Sequence, residues 1–243
     1  MKETVLEVKD LSFSYKEQSV LSNISFDVYK GDYFGILGPN GSGKTTLLKL
    51  CIGLINSSKG SVKLFGEDIN QSTKRNKISY ISQKSNAFNL SFPATVYELI
   101  YSGLRSIGYD SKTSHAMTGE AIEIVGISNI ADRRIGNLSG GQQQKVFIAK
   151  AISSKPEIIF LDEPTVGIDY GSEGFFYEAM HNLNLKGVTI FMISHDISAI
   201  TSYANRVACI GEDSFHIHAK DEMMDIESSL RKIYGKKMSF ITH

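Results

Sequence analysis

The sequence predicts an α/β fold built on a largely parallel sheet, and three observations carry that expectation. Short β-rich runs alternate with longer stretches of helical period, several of the runs are apolar at every residue, and one glycine-rich loop joins a run to a helical stretch. The alternation is the pattern of strand–helix–strand units. A strand with no polar face is covered on both sides, as parallel strands are.

The runs, in order, are Val5 to Val8, Tyr33 to Leu37, Ile78 to Ile81, Ile158 to Leu161, Val188 to Ile193 and Val207 to Ile210. Their length and β-branched content suit strands, and the second, fourth and fifth are the doubly covered ones. From about Ser85 to Leu138 the pattern changes. Helical stretches at Val96 to Gly103 and Thr113 to Val125 are separated by Gly and Ser without a strand signal, so a helical subdomain inserted in the α/β core is expected. After Gly211 comes a tail with one expected helix, Asp221 to Tyr234, and a basic end at Lys236 and Lys237. The expected division is therefore a domain over 1–211, its helical subdomain at about 85–138, and a short C-terminal extension over 212–243.

At 243 residues the chain can bury a substantial core, and it sits near the upper size of one continuous domain. Twenty-six Lys and Arg balance 26 Asp and Glu, so no overall field recruits nucleic acid or an anionic membrane. Cys51 and Cys209 lie in separate apolar stretches with no C-x-x-C spacing and read as reduced core residues. Met1 to Thr4 lead directly into an alternating run with no charged-then-apolar leader, from which a cytosolic protein is expected. The longest apolar runs fall far short of the roughly 20 residues that span a bilayer. A membrane path, if there is one, belongs to another polypeptide.

The run Tyr33 to Leu37 is followed by Gly38-Pro39-Asn40-Gly41-Ser42-Gly43-Lys44-Thr45 and then the helical Thr46 to Leu50. This is G-x-x-x-x-G-K-[ST] in its strand–loop–helix setting, the phosphate loop of nucleotide hydrolases. The glycines let the backbone turn its N–H groups onto phosphate, and the helix N-terminus adds partial positive charge. Lys44 would reach the β- and γ-phosphates of ATP, and the Thr45 hydroxyl would bind Mg²⁺. The fourth run ends in Asp162 and Glu163. Carboxylates at the mouth of a parallel strand suit a hard cation and a water, with Asp162 holding Mg²⁺ through water and Glu163 polarising the attacking water. Acids after a strand are common in themselves; paired with the phosphate loop they point to hydrolysis.

Between these anchors stands Leu138-Ser139-Gly140-Gly141-Gln142, followed by the helical Gln143 to Ser153. Here the sequence resembles the ATP-binding-cassette (ABC) ATPases, whose signature is LSGGQ about 20 residues before the acidic motif. The resemblance covers Thr4 to Gly211 and implies a P-loop NTPase core with an antiparallel β subdomain and an inserted helical subdomain. It implies that Ser139, Gly140, Gly141 and Gln142 cap the γ-phosphate bound by a second copy, sandwiching two ATP molecules in a head-to-tail homodimer. Tyr15 matches the aromatic that stacks on adenine, Gln83 the glutamine that touches Mg²⁺ or water, and His195 the switch histidine at the γ-phosphate. Val166-Gly167-Ile168-Asp169 stands where the family has S-A-L-D; Asp169 matches, whereas Val166 and Gly167 depart and put communication across the dimer at this loop in doubt.

The stretch Gln83 to Ile100, which includes Phe92 and Tyr97, is similar to the permease-docking segment of zinc-uptake ATPases. The tail Glu227 to Gly235 is similar to the extension of metal-importer ATPases. The resemblance implies an ATPase at the cytoplasmic face of the membrane that powers import of a metal ion, zinc, through a separate integral membrane permease. An extracellular or periplasmic metal-binding protein would feed that permease. The alternatives are a manganese or iron-chelate importer ATPase and a soluble ABC ATPase such as a cluster-assembly scaffold. A kinase-like P-loop enzyme is disfavoured by Leu138 to Gln142. His216 and His218 would share one strand face, but two ligands do not complete a zinc site, and a solvated strand edge is the expected reading.

Overall fold

The computed structural model describes residues 2–82, 93–165, 170–211 and 214–219. In chain order its elements begin with β1 (Thr4–Tyr15), β2 (Gln18–Tyr29), β3 (Tyr33–Leu37), α1 (Lys44–Cys51), β4 (Lys59–Leu64), β5 (Glu67–Asp68) and β6 (Ile78–Ile81). There follow α2 (Val96–Ser106), α3 (Ser111–Val125), α4 (Gly140–Ser153), β7 (Ile158–Asp162) and α5 (Tyr170–Leu185). The last are β8 (Thr189–Ile193), α6 (Ile197–Tyr203), β9 (Arg206–Ile210) and β10 (Phe215–Ala219). The chain divides into two compact units, one of Met1–Lys74 with Thr189–His243 and the other of Arg75–Val188.

The first unit holds an antiparallel sheet ordered β2-β1-β4-β5. It also holds a set in which β3 runs parallel to both β8 and β9, with β10 antiparallel on the outer side of β9. The alternation of β1 buries Val5, Leu6, Val8, Leu11 and Phe13. Sequence reading marked only the start of β1 and missed β2 and β4 as elements. In β2 the apolar positions Val20, Leu21, Ile24, Phe26 and Val28 are broken by register shifts against β1, so no strict period of two survives.

Aromatic packing joins the two sheets of this unit. Phe26 of β2 stacks on Phe34 of β3 at 5.4 Å between centroids, and Phe34 on Phe191 of β8 at 5.6 Å. Phe215 of β10 closes the group at 5.6 Å from Phe26. Offset stacks of this kind add to the area term of burial. At the start of β3 a buried charge is fully engaged: Asp32 accepts from Arg206 at 3.0 Å, Asn205 at 3.4 Å and the Tyr29 backbone N–H at 3.0 Å.

In the second unit β6 and β7 pair in parallel, Ile78 opposite Ile158 through Ile81 opposite Leu161. The pair is clamped at its base by Lys77 and Glu157, 2.5 Å apart. Between them the described residues form helices and 3₁₀ turns, with an isolated bridge between Thr95 and Arg134. The helices begin and end where local chemistry dictates. Thr95 and Glu98 make a reciprocal capping box on α2, Asp110 caps α3, and Gly126 ends α3 in the left-handed conformation. The expected tail helix, Asp221 to Tyr234, lies outside the described residues.

Candidate functional site

The phosphate loop is built by close packing at one end and backbone freedom at the other. A Cβ on Gly38 would stand 2.3 Å from the Ile210 carbonyl oxygen and 2.9 Å from the Ser42 hydroxyl, so only glycine fits where the chain leaves β3. Gly41 and Gly43 have φ of 84° and 91°, the left-handed region that turns the loop into α1. Gly43 is the N-cap residue of α1 and supplies no side-chain cap, and the first turn carries no acid. The leading amides and the positive end of the helix dipole are thus left for an anion.

Lys44 is buried, and its ammonium donates to the Gly38 carbonyl at 2.8 Å and the Pro39 carbonyl at 2.9 Å. The cation is therefore held inside the loop that would receive phosphate. The Ser42 backbone N–H donates to Pro39 at 3.2 Å, while the Ser42 hydroxyl is buried with no hydrogen-bond partner among the described residues. A loop that carries a buried ammonium, an unpartnered hydroxyl and an uncapped helix terminus is organised for an anionic ligand. Asn40 and Gly41 are exposed and Pro39, Thr45 and Thr46 half-buried at its rim.

Two further predicted residues belong to the same unit. Tyr15 ends β1 with 51% of its surface exposed and its ring edge-on to Phe13 at 4.7 Å, so a free aromatic face is available for stacking. His195 is exposed just beyond β8, between two anchored neighbours. Ser194 is buried and accepts from the Asp196 N–H at 3.0 Å, while the Asp196 carboxylate caps α6 through Ala199 at 2.9 Å. The Ser-His-Asp turn fixes both flanks and leaves the imidazole outward.

In the second unit all of β7 is buried, and Asp162 at its end is 3% exposed. A carboxylate at that depth needs partners. Burial together with the Asp162 charge pushes the phenol of Tyr80, on β6, up to about 12. Glu163 follows with φ of 48°, a conformation uncommon outside glycine and a form of strain that concentrates at functional positions. Sequence reading found both acids but not Tyr80. Its signal was a lone phenol in the otherwise small and aliphatic Ile78-Ser79-Tyr80-Ile81.

The Leu138 to Gln142 segment opens α4. Ser139 is its N-cap, accepting from the Gln142 N–H at 3.4 Å while the Gln142 side chain accepts from the Ser139 N–H at 3.1 Å. Ser139 and Gly140 are exposed and Gly141 and Gln142 half-buried, so the helix terminus faces out. Gln83 and Asp169, and the segment with Phe92, lie outside the described residues. His216 and His218 share a face of β10 opposite Cys209 and Val207. No group of three or more His, Cys, Asp or Glu able to hold a metal occurs among the described residues.

Thr45, at the end of the loop in the first unit, and Asp162, at a strand end in the second, each carry the kind of oxygen that a hard cation takes. A family model described as ABC transporter matches residues 21–166.

The chain belongs to the ABC transporter family.

This ABC protein is 44% identical over 213 residues to the zinc uptake system ATP-binding protein ZurA of Listeria innocua, covering 86% of this chain and 83% of that one. It is 36% identical over 208 residues to the high-affinity zinc uptake system ATP-binding protein ZnuC of Bacillus subtilis, covering 84% and 89%. The manganese transport system ATP-binding protein MntB of Halalkalibacterium halodurans is 36% identical over 213 residues, covering 86% and 84%. Among solved structures, an ATP-binding cassette of an ABC transporter in its ADP conformation superposes with a TM-score of 0.81 at 25% identity, covering 95% of this chain and 98% of that one. The fold is that of the ABC ATPases, and the chain is an ATP-binding ATPase.

Proposed function

We propose that this ABC ATPase powers the import of a metal ion, zinc, through a separate integral membrane permease. The observation that carries ATP chemistry is the phosphate loop, with its ammonium held by Gly38 and Pro39 and its helix terminus uncapped. The zinc assignment is supported by likeness to zinc-uptake ATP-binding proteins at 44% and 36% identity. Manganese is the second reading, favoured by the likeness to MntB at 36%.

In this reading the backbone of Gly38, Pro39, Asn40, Gly41, Ser42 and Gly43 cradles the phosphates, Lys44 neutralises the β- and γ-oxygens, Thr46 extends the cradle and Tyr15 stacks on adenine. The Thr45 hydroxyl, Gln83 and, through water, the Asp162 carboxylate would hold Mg²⁺, which would neutralise charge on the transferred phosphoryl group. Glu163 orients a water at the γ-phosphate and accepts its proton as the bond to the leaving ADP oxygen breaks. His195 steadies the γ-phosphate. Ser139, Gly140, Gly141 and Gln142 cap the nucleotide of a second subunit, with Asp169 at that junction, so closure of the homodimer depends on ATP.

Among the described residues no helix is long and apolar enough to cross a membrane. The permease, at whose cytoplasmic face the ATPase sits, provides the path, and a metal-binding protein outside supplies it. The division into an ATPase domain over 1–211, with its helical subdomain at about 85–138, and an extension over 212–243 belongs to the same proposal.

The test is radiometal uptake in cells lacking this chain. The wild type should restore zinc uptake and Glu163→Gln should not. Restoration of manganese but not zinc uptake would move the cargo to the second reading, and restoration of neither would overturn the importer assignment.

A further inference from the structure

Three helices of the second unit line an open groove with apolar side chains. Residues three or four apart share a helix face, and such pairs meet here: Ala121 and Ile124 on α3, Ile148 and Ile152 on α4, Ala179 and Leu183 on α5. Two hollows result, of about 420 and 330 Å³, and Ile124, Ile152, Leu183 and Lys186 line both. Each has an alanine in its wall, Ala121 in the larger and Ala179 in the smaller, where a longer side chain would take up the space. Pro156 and Ile159, at the entry to β7, add to the larger one. Both volumes fall in the range of about 300–1,000 Å³ typical of small-molecule sites.

The groove keeps apolar surface against solvent. Ile124 is 58% exposed, and Phe175, which lines the smaller hollow, is 39% exposed. Contiguous apolar surface with a polar rim marks a binding site, whereas single exposed residues do not. Charge on the rim is uneven. At the larger hollow the Glu120 carboxylate is engaged by the Lys155 ammonium at 2.7 Å. Lys186 borders both hollows, and its ammonium has no hydrogen bond or ion pair among the described residues. Its backbone is fixed, since the N–H groups of Lys186 and Val188 donate to the Leu183 carbonyl at 3.1 and 3.2 Å, and that of Gly187 to Asn184 at 2.8 Å. Glu178 borders only the smaller hollow. It lies roughly 12 Å from Lys186 along the helix axis, beyond the screening length of about 8 Å at physiological salt. One positive charge is therefore left uncompensated where the hollows join.

We propose that this groove binds a free amphipathic monocarboxylate, its medium-length alkyl chain in the larger hollow and its head group on Lys186. The walls accept the chain, and the lone ammonium pairs with a single negative charge. A cationic head would find no free acid at the larger hollow, because Glu120 is held by Lys155. From Met117 to Ile124 that hollow follows α3 for roughly 10 Å, a length that suits a medium alkyl chain. None of the lining residues is one assigned to nucleotide, Mg²⁺ or permease.

The experiment uses the full chain and sodium decanoate below its micelle-forming concentration, with binding read by calorimetry. The wild type should take up one decanoate per chain. Across hexanoate, octanoate and decanoate each added methylene should tighten binding about fourfold, as expected for a buried CH₂. Decanol, which has the chain without the charge, should bind about threefold to fivefold more weakly, the size of one exposed ion pair. Lys186→Met should weaken decanoate by that same factor and leave decanol unchanged. Ile124→Glu alters an exposed side chain and sets a like charge in the groove, so it should abolish decanoate binding and keep the melting temperature within a few degrees. Should Ile124→Glu melt early, the chain-length series and Lys186→Met decide alone. The proposal is overturned if wild type shows no saturable decanoate binding, if affinity does not rise with chain length, or if decyltrimethylammonium binds as tightly as decanoate. Decanoate binding that survives both substitutions would place the ligand elsewhere. Binding to phosphatidylglycerol vesicles that both substitutions abolish, without uptake of free decanoate, would make the groove a membrane-facing surface instead. A self-associated wild type that Ile124→Glu renders monomeric by light scattering, again without decanoate binding, would make it a contact between copies.

Discussion

Replacing Lys44 by alanine has two consequences that the phosphate loop allows to be sized separately. The ammonium is buried and already desolvated, with donors spent on the Gly38 and Pro39 carbonyls at 2.8 and 2.9 Å. Its shift toward phosphate is therefore local and costs little further dehydration. A hydrogen bond to a charged partner contributes about 1.5–3 kcal/mol, and a lysine that bridges two phosphate groups makes at least two. The loss should be about 3 kcal/mol or more, over a hundredfold in Kd. The effect on folding is smaller. Pro39 keeps the Ser42 N–H at 3.2 Å when the lysine is gone, and Gly38 loses this donor. One underserved buried carbonyl costs about 1–3 kcal/mol, which in a chain of this size lowers Tm by roughly 2–4 °C per kcal/mol. Titration with a fluorescent ATP analogue and a thermal melt on the same sample separate the two. A folded Lys44→Ala protein that binds ATP as tightly as wild type would refute the phosphate-site assignment, whatever its melting temperature.

The site was legible in the sequence where chemistry is local in the chain. The phosphate loop occupies consecutive residues, and each glycine in it answers a local constraint, either a clash such as that at Gly38 or the positive φ of Gly43. The same holds for Ser139 and Gln142, whose capping box is a contact between residues three apart. Elements defined by partners far along the chain were harder. β2 is cut by register shifts that depend on its pairing with β1, and β10 is a strand because β9 lies beside it. The register of β6 with β7, which sets Tyr80 opposite Phe160, is likewise revealed by no spacing across the intervening helices. Strain was also hidden: nothing in Leu161-Asp162-Glu163 signals that Glu163 adopts a φ of 48°.

Glu163→Gln keeps shape but cannot accept a proton, so it should bind ATP and scarcely hydrolyse it; near-normal turnover, or only monomer in gel filtration with ATP and Mg²⁺, would count against its role. Asp32→Ala strands the Arg206 guanidinium, 18% exposed and bonded to Asp32 at 3.0 Å, at a cost of about 3–5 kcal/mol for breaking a buried pair from one side. A melt shifted by less than a degree or two would show that the Asp27 carbonyl and the Tyr29 and Phe34 rings suffice for Arg206. Burial pushes the Cys209 thiol up to about 11 and the Cys51 thiol higher still, so both should resist a thiolate-selective reagent at pH 8 until the protein unfolds; rapid labelling of the native chain would contradict their placement in the core. The last expectation concerns coupling to the permease. Tyr97 is half-buried, its hydroxyl 2.6 Å from His115 Nδ1 and its ring stacked 6.3 Å from Tyr101, whereas the apolar face of α2 is carried by Val96, Ile100 and Leu104. The ring belongs to a surface aromatic group, so Tyr97→Ala should cost only about 1–2 kcal/mol, less than the roughly 3–5 kcal/mol of an excavated core ring. ATPase activity should be unchanged because no part of this group is in the phosphate loop. Metal uptake should fall, since aromatic anchors often dominate an interface. A stable variant that supports uptake at the normal rate would exclude Tyr97 from the permease-docking surface, and a large loss of melting temperature would place its ring in the core.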